Sequence, residues 1–491
     1  MRSSVLMVSM VVLVSCGGDT GTDASLAIVP EVPARTWQRP GSAAPSTQPI
    51  PDKNVVDIAV GDDAQSIVDL HPAGTVFMFG PGIHYETEIV AKDGDVFLAT
   101  PAAVLSGARL VTSFLKVEGF WVAGGFDQEG EQRGSCTDER PSCVFPEDLF
   151  VDDRPLVQVM DRDDLVAGSW YFDTEADSIY LFDDPAGRKV EMSVIPYAFY
   201  GSARQVTLRG LVLEKYANPA QRGAIGAEGT GPDWLLVGNE VRLVHGTGIK
   251  AGPGSRVIDN YLHHNGQLGL SGSGDGILVE GNELSYNNVG GFNPYWGGGG
   301  AKFVSTTDLQ VIGNYAHHNL GPGLWTDIDN IGTLYEGNLV VANLHAGIKH
   351  EISYDAQIVD NWVEANGYGN PNSIAGAGIF VSSSPNVEIW GNTVLDNRHG
   401  IGALSRDRGV GKYGPYELRG LYVHDNEVTM TDGYSGVMSV DGNEAFTEWN
   451  NRFESNHYVL NGDADAFQWR GAARNFVEWN DYGLDLDGSI G

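Results

Sequence analysis

The sequence has little of three things: cysteine, basic residues and helical periodicity. Its 491 residues include three cysteines, and 30 lysines and arginines stand against 64 aspartates and glutamates. The formal net charge of −34 argues against binding to nucleic acid, and it predicts repulsion of polyanionic glycans unless metal ions intervene. Long helical periodicity is nearly absent, and the 65 glycines are typical of short strands joined by tight turns.

The N-terminus is predicted to be a targeting segment. Arg2 precedes an apolar stretch over 5–14 that is too short to span a bilayer as a mature helix. The following Leu-Val-Ser-Cys resembles the lipobox of bacterial lipoproteins, which implies that Cys16 is lipidated and that the protein is extracellular or anchored at the bacterial cell surface. The alternative is an ordinary cleaved secretory signal. This anchor is the only membrane contact that the sequence predicts.

The other two cysteines, Cys136 and Cys143, bracket one eight-residue segment. In an oxidising exterior, a disulfide that closes this loop is the expected structure.

A repeated unit between residues 237 and 431 predicts the fold. Its clearest form is Asn-x-Val/Leu-x-x-Asn, and its first asparagines are mostly 21 to 24 residues apart, with three longer intervals of 31 to 34. The leucine frame of leucine-rich repeats is absent, and each unit has short β-branched runs that fit a coil of three strands. The chain is therefore predicted to be all-β, a parallel β-helix with asparagines at the corners and in stacked ladders. The longer intervals predict insertions near 288–299, 367–376 and 405–417.

Two of the repeat units, at 260–265 and 314–319, each carry a pair of adjacent histidines. We expect these histidines to have structural corner and ladder roles rather than to bind metal. They are His263, His264, His317 and His318.

The N-terminal part resembles the opening of pectate-lyase-type right-handed β-helices. A short helix predicted over Asp63–Leu70 precedes an apolar segment over 74–85, and the resemblance implies a right-handed helix with a capped end. A predicted hairpin around Trp170 indicates an inserted small β-domain. The predicted organisation is a lipoprotein signal peptide (1–16), a flexible tether (17–50), an N-terminal cap with first coils (51–124), the inserted β-domain (125–200), repeat coils (201–445) and a C-terminal cover (446–491).

Two acidic residues occupy the same position of successive repeat units. Asp327 follows Asn314 by 13 residues, and Glu351 follows Asn338 by 13 residues. Adjacent strands are about 4.8 Å apart, close to the roughly 5–5.5 Å between the two carboxyl groups of a retaining glycosidase. Two stacked acids repel, so the pKa of one is expected to rise while the other stays low.

Strand alternation predicts which neighbours share the outer face with this pair. Trp325, Asp329 and Lys349 alternate to the same side, whereas His350 alternates toward the core. Aligning Gly300-Ala-Lys with Gly347-Ile-Lys adds Lys302 to the column, and the loop that carries Trp296 lies just before it. The tryptophans are expected to stack on sugar rings. The alternatives are a solvated acidic patch and a Ca²⁺ site built from the three acids; the favoured interpretation has no cofactor.

These segments resemble the paired motifs of β-xylosidase-type β-helix glycosidases, roughly Leu-Trp-Leu-Asp followed by Phe-x-Glu-Val. The resemblance implies a retaining mechanism on a poly- or oligosaccharide, with Asp327 as nucleophile and Glu351 as acid/base. The departure is the pair Lys349-His350, where an apolar or aromatic residue is expected.

Two other functions remain open on the same fold. One is a polysaccharide lyase in which Lys302 or Lys349 abstracts a proton next to a uronate carboxyl group; the net charge disfavours it, and no outward arginine aligns with the column. The other is a non-catalytic surface protein that binds glycan.

Overall fold

The computed structural model describes residues 55–462 and 464–491, and over these residues the chain is a parallel β-helix with small antiparallel sheets near its N-terminal end. Each coil has three short strands, and we number the three faces in chain order within a coil. The signal peptide (1–16) with Cys16 and the tether (17–50) lie outside the described residues. Within them, no helix has the length and apolar character needed to cross a membrane.

The three faces are parallel stacks of strands. Face 1 contains Ile89–Val90, Phe199–Tyr200, Gly223–Ile225, Thr247–Ala251, Leu268–Asp275, Gly299–Thr307, Leu324–Asp327, Ile348–Glu351, Ala377–Ser382, His399–Ser405, Ser435–Ser439 and Phe467–Trp469. Face 2 contains Val55–Ile58, Val76–Phe79, Val96–Ala99, Thr207–Arg209, Leu235–Val237, Arg256–Ile258, Leu278–Glu280, Gln310–Ile312, Ile331–Glu336, Tyr354–Val359, Val387–Trp390, Tyr422–His424 and Arg452–Glu454. Face 3 contains Gly82–Tyr85, Ala103–Ser106, Val212–Glu214, Glu240–Arg242, Tyr261–His263, Glu283–Ser285, Tyr315–His317, Leu339–Val341, Trp362–Glu364, Thr393–Leu395, Glu427–Met430, His457–Leu460 and Ser489–Ile490.

The remaining elements lie outside the coils or close their ends. The small sheets contain Ala108–Leu110, Leu115–Val117, Phe120–Gly124, Leu149–Val151, Arg154–Pro155, Val157–Gln158, Ser169–Asp173, Ser178–Leu181 and Val190–Ser193. The hairpin Val410–Gly411 with Gly414–Pro415 lies in one insertion, and Ala472–Arg474 pairs antiparallel at the C-terminal end. The α-helices are Ala64–Leu70, Glu444–Thr447 and Phe476–Asp481, and the 3₁₀ turns are Pro141–Val144, Arg162–Asp164 and Ile374–Gly376.

The core is a column of apolar side chains inside the coils. Equivalent positions of successive strands point inward and stack in register, as on face 2, where Val311, Tyr335 and Ile358 are all fully buried. Each coil alone cannot bury such a face, so stability depends on stacking neighbouring coils. The helix Ala64–Leu70 lies at the N-terminal end of the coils, and the aromatic segment in which Trp479 is fully buried lies at the C-terminal end.

Two asparagine ladders run along the helix. In each, the side-chain amide N–H donates to the side-chain oxygen of the equivalent asparagine one coil on, at 3.0 Å for Asn314 to Asn338. The asparagines do not themselves occupy the left-handed corner positions that the sequence suggested. That conformation is taken by the residue before each one, such as His318 at φ 53°. The side-chain amide of each ladder asparagine also donates a hydrogen bond to a buried backbone carbonyl oxygen, as Asn314 does to Val279.

The small sheets are joined to the coils by a buried ion cluster, which we call the junction cluster: Lys215, Lys189, Asp153, Glu191 and Glu214. The fully buried Lys215 Nζ lies 2.6 Å from Glu191 Oε2 and 3.2 Å from Glu214 Oε1, and it also pairs with Asp153. The three carboxylates have the spacing of a metal site, but the ammonium group lies among them. The sheets run from residue 108 to residue 193, so they begin before the predicted insertion start at 125.

Cys136 and Cys143 form a disulfide, with 5.6 Å between their Cα atoms. Cys136 also forms a β-bridge with Phe292, which is fully buried. The disulfide loop therefore supports the base of the insertion at 288–299.

Candidate functional site

Asp327 and Glu351 lie opposite each other on adjacent parallel strands of face 1. The register pairs Asp327 with Glu351 and Trp325 with Lys349, and the preceding strand places Lys302 opposite Trp325. Parallel strands are about 4.8 Å apart, so the two acids are one strand spacing apart at their backbones. The column that the sequence predicted is present for Lys302, Trp325 and Lys349.

Trp325 is held between two lysines. The ring centroid lies 3.8 Å from Lys302 Nζ and 3.9 Å from Lys349 Nζ, and the side chain is 1% exposed. Such desolvated cation–π contacts contribute about 2 kcal/mol each. Because the side chain is 1% exposed, Trp325 has no free ring face for a sugar to stack on, and its contacts fix the two ammonium groups in place.

Each lysine of this sandwich binds one of the acids. Lys302 Nζ lies 2.8 Å from Asp327 Oδ2, and Lys349 Nζ lies 2.6 Å from Glu351 Oε2. Arg408 adds a second cation, with Nη1 2.8 Å from Glu351 Oε1. We call Lys302, Lys349, Asp327, Glu351 and Arg408 the cleft cluster.

Asp329 lies outside the column. Ile328 and Asp329 have φ of 61° and 59°, so the strand ends at Asp327 and the alternation that would have aligned Asp329 stops there. Its carboxylate accepts hydrogen bonds from the Lys412 backbone at 2.8 Å and from the Tyr416 hydroxyl at 2.7 Å. Asp329 therefore anchors the insertion at 405–417. The carboxylates of Asp327, Asp329 and Glu351 have separate partners, and among the described residues these three acids do not form a group with metal-ligand spacing.

Both acids are followed by an isoleucine in the left-handed region. Ile328 has φ 61° and Ile352 has φ 37°, a conformation that β-branched residues rarely adopt. Strain of this kind costs about 1–3 kcal/mol per residue and clusters at functional sites. Positive φ recurs at the equivalent position of the next coil, Ser383 at φ 45°, so the β-branched side chain is what distinguishes these two corners.

Trp296 also lies away from the open surface. It is partly buried beside the disulfide, near Phe292, and its carbonyl oxygen accepts a hydrogen bond from Lys302 Nζ at 2.9 Å. Its neighbour Tyr295 is the exposed ring, with 59% of its surface accessible and an edge contact to His345 at 5.0 Å. The aromatic residue available to a ligand is therefore Tyr295, which the sequence analysis did not select.

The three insertions border one cleft of about 250 Å³ next to Glu351. Its walls come from the loops at 288–299, 367–376 and 405–417, with Phe380 and Leu404 as apolar lining. Glu351 and Lys349 line this cleft, whereas Asp327 lies behind them with a side chain that is 10% exposed. Long insertions in a repeat scaffold are typical of binding loops, so their convergence makes this cleft the candidate site.

The pKa of Glu351 is lowered, whereas the acid/base role implied by the glycosidase resemblance requires a raised pKa. Burial acts to raise its pKa, but the Lys349 and Arg408 cations outweigh this and hold the pKa of Glu351 below its ordinary value. Glu351 is therefore an ionised carboxylate at neutral pH rather than the acid of raised pKa. Burial lowers the pKa of the Lys302 ammonium, and the attraction of Asp327 offsets this only in part.

The two residues that depart from the glycosidase-like motif have different environments. Lys349 points outward into the cleft cluster, and His350 points into the core, where Thr326 Oγ1 lies 2.7 Å from its Nδ1. Burial lowers the pKa of His350 to about 3, so it is neutral. The predicted inward direction of His350 is confirmed, since the residue is fully buried.

Sequence reasoning missed the arginines of the cleft. Arg406 and Arg408 belong to the insertion at 405–417, and Arg408 is 57 residues from Glu351 in sequence. No arginine aligns in the strand register of the column, as expected, but the insertion folds back over face 1 and brings Arg408 into contact with Glu351. The length of that insertion was the available signal.

The coils define a right-handed parallel β-helix protein. Residues 223–414 match the family model described as the right handed beta helix region. No curated protein sequence matches this chain. The solved complex of XylC with xylose has a TM-score of 0.60 at 14% identity and covers 89% of this chain and 86% of that one.

Two further solved structures are similar in fold at lower scores. The A-module of the Azotobacter vinelandii mannuronan C-5 epimerase AlgE6 has a TM-score of 0.44 at 13% identity, covering 87% of this chain and 92% of that chain. A chain named glycoside hydrolase has a TM-score of 0.43 at 10% identity, covering 88% and 99%. The distant structural neighbours thus include carbohydrate-active β-helix proteins, and the likeness extends to the fold alone.

Proposed function

We propose that the protein is a retaining glycoside hydrolase that works outside the cytoplasm, with Asp327 and Glu351 as its catalytic pair. The observation that carries the proposal is their register: two acids lie opposite each other on adjacent strands, and one of them, Glu351, lines a cleft that three insertions border. One strand spacing suits a double displacement, in which the carboxyl groups are about 5–5.5 Å apart. The disulfide supports an oxidising location.

The charges favour a particular division of roles. A nucleophile attacks as a carboxylate, and Glu351 is held ionised by two cations while lining the cleft. We therefore assign the nucleophile to Glu351 and proton transfer to Asp327, the reverse of what the glycosidase resemblance implies. This division makes Lys302, at 2.8 Å, the direct neighbour of the proton-transfer group.

The bond changes follow from these roles. A Glu351 carboxylate oxygen bonds to the anomeric carbon while the glycosidic C–O bond breaks and Asp327 protonates the leaving oxygen. Water then attacks the same carbon, gives its proton to Asp327 and releases Glu351, so the product keeps the starting configuration.

Chemical rescue tests both the pair and the roles. With an aryl glycoside and azide, Glu351→Ala should form a glycosyl azide of inverted configuration, and Asp327→Ala should form one of retained configuration. The opposite pattern would restore the roles implied by the resemblance. If both variants kept wild-type turnover without azide, the pair would be wrong.

A polysaccharide lyase is the second candidate, and the cations of the cleft favour it. Burial lowers the pKa of Lys302, which brings it closer to the range of a general base, and Arg406 and Arg408 can neutralise a uronate carboxyl group. Products that absorb ultraviolet light through a new double bond would select the lyase. Glycan binding without any turnover would instead indicate a non-catalytic surface module.

A further inference from the structure

The cleft reverses the charge balance of the chain. The whole sequence has 64 acidic residues against 30 lysines and arginines. The charged side chains that line the cleft are Lys349, Arg406, Arg408 and a single acid, Glu351. A cleft with low-dielectric walls focuses the field of the charges that line it, so it attracts anions even though the protein as a whole repels them.

Arg406 is the cation of the cleft that the protein leaves uncompensated. Its backbone is fixed by Ser383, whose hydroxyl accepts from the Arg406 N–H at 3.2 Å and donates to the Arg406 carbonyl at 2.7 Å. Ser383 is fully buried, so this attachment is rigid. Across the described part of the chain, no carboxylate lies within ion-pair distance of the Arg406 guanidinium.

Arg408 lies beside Arg406 and is already shared with Glu351. One nitrogen is 2.8 Å from Glu351 Oε1, and the side chain remains 31% exposed. A guanidinium has five N–H donors, so Arg408 can hold Glu351 and a second anion together. A neutral sugar would offer these donors only hydroxyl and ring oxygens, and hydrogen bonds to such neutral acceptors are weaker than hydrogen bonds to an anion.

We propose that the glycan bound by this cleft carries an anionic group, the carboxylate of a uronic acid or a sulfate ester, on the sugar beside Glu351, and that Arg406 and Arg408 bind that group. Guanidinium groups match both anions through paired hydrogen bonds. The inference rests on the proposed function only in taking the ligand to be a glycan. It is the opposite of the repulsion of polyanionic glycans, in the absence of metal ions, that the net charge predicts.

Calorimetric binding to matched pairs of oligosaccharides tests the proposal. The pairs are oligogalacturonate with its methyl ester, oligomannuronate with its methyl ester, and a sulfated galactan oligosaccharide with its desulfated form. We expect roughly tenfold or greater preference for the anionic member of at least one pair, because one charge-assisted hydrogen bond contributes about 1.5–3 kcal/mol. The preference should shrink as salt is raised.

Variants connect the preference to the arginines. Arg406→Gln should reduce it at least severalfold without touching Glu351, and Arg406→Gln with Arg408→Gln should abolish it. The exposed Arg256 on face 2 provides the matched control, since Arg256→Gln removes the same charge away from the cleft and should leave the preference intact. A preference within a uronate pair assigns the group as carboxylate, and one within the galactan pair assigns it as sulfate.

Equal binding within all three pairs, or a preference that survives in the double arginine variant, would overturn the proposal. Turnover of the same oligosaccharides is measured separately. Anionic oligosaccharides that bind tightly but are never cleaved would refute the proposed hydrolase and leave this inference standing. Equal cleavage and equal binding of neutral and anionic members would do the reverse.

Discussion

The junction cluster and the cleft cluster are built from the same groups but differ in what closes them. In the junction cluster, Lys215 and Glu191 are fully buried, and acids surround the central lysine on every side. In the cleft cluster, Glu351 opens onto a cleft and has a cation on each oxygen. A cluster whose central ion pair is sealed from water holds two parts of the chain together. An open cluster with surplus cations is instead suited to receive a ligand.

The largest expected effect is on turnover, and it should be confined to the cleft cluster. Glu351→Gln and Asp327→Asn should each lower kcat/KM by about 10³-fold or more, because a nucleophile or proton donor is removed while size and shape are kept. Steady-state kinetics on a cleaved glycan measures this. The exposed Glu336 on face 2 is the control, since Glu336→Gln should retain wild-type kinetics. Wild-type rates in both acid variants would contradict a catalytic role for the cleft cluster, and the two clusters would then no longer differ in function.

The second effect is on stability, and it should be confined to the junction cluster. Lys215→Met removes the fully buried cation between Glu191 and Glu214, which keep Lys189 and Arg242 as their remaining partners. The loss should therefore be somewhat smaller than the about 3–5 kcal/mol that leaving a buried charge entirely unpaired costs. Urea denaturation should show this loss in the free energy of unfolding, while turnover per folded molecule stays unchanged. A stability within experimental error of the wild type would show that the junction is held by apolar packing instead.

Much of this arrangement could be predicted from sequence where it depends on local periodicity. The spacing of the asparagines predicts the coils, and strand alternation places Lys302, Trp325 and Lys349 in one column. Alternation could not locate Asp329, because it assumes a straight strand and the chain turns at Ile328.

The rest of the site depends on loops whose path no periodicity encodes. The contact of Arg408 with Glu351 arises because the insertion at 405–417 folds back over face 1, where Asp329 bonds to Tyr416. The burial of Trp325 follows from the close approach of two lysines, which a pattern of inward and outward positions does not specify.

A third, intermediate effect tests how the cleft cluster is positioned. Trp325→Leu removes both cation–π contacts, each of which contributes about 2 kcal/mol of interaction free energy. The ammonium groups of Lys302 and Lys349 are then held less firmly in place. We expect kcat to fall about 10- to 100-fold with a broadened pH profile, and with KM changed less. Trp390→Leu on face 2 is the matched control. An unchanged pH profile in Trp325→Leu would assign the ring a packing role only.

The smallest effect is in the pH dependence of stability. Because the folded-state pKa of Glu351 lies below its ordinary value of 4.5, its ion pairs stabilise the fold fully above pH 4.5. This contribution is lost as the pH falls through the lowered value. Glu351→Gln should therefore lose less stability than the wild type between pH 5 and pH 3 in urea titrations. Parallel curves for the two proteins would mean that the lysine and arginine do not stabilise the carboxylate.

Proton NMR of the first sugar released from a cleaved glycan tests the central claim most directly. The account predicts that wild-type protein releases a product whose anomeric configuration is that of the substrate, and that Glu351→Gln releases none. Release of the opposite anomer, or of a sugar with a new double bond, would contradict a double displacement at Asp327 and Glu351.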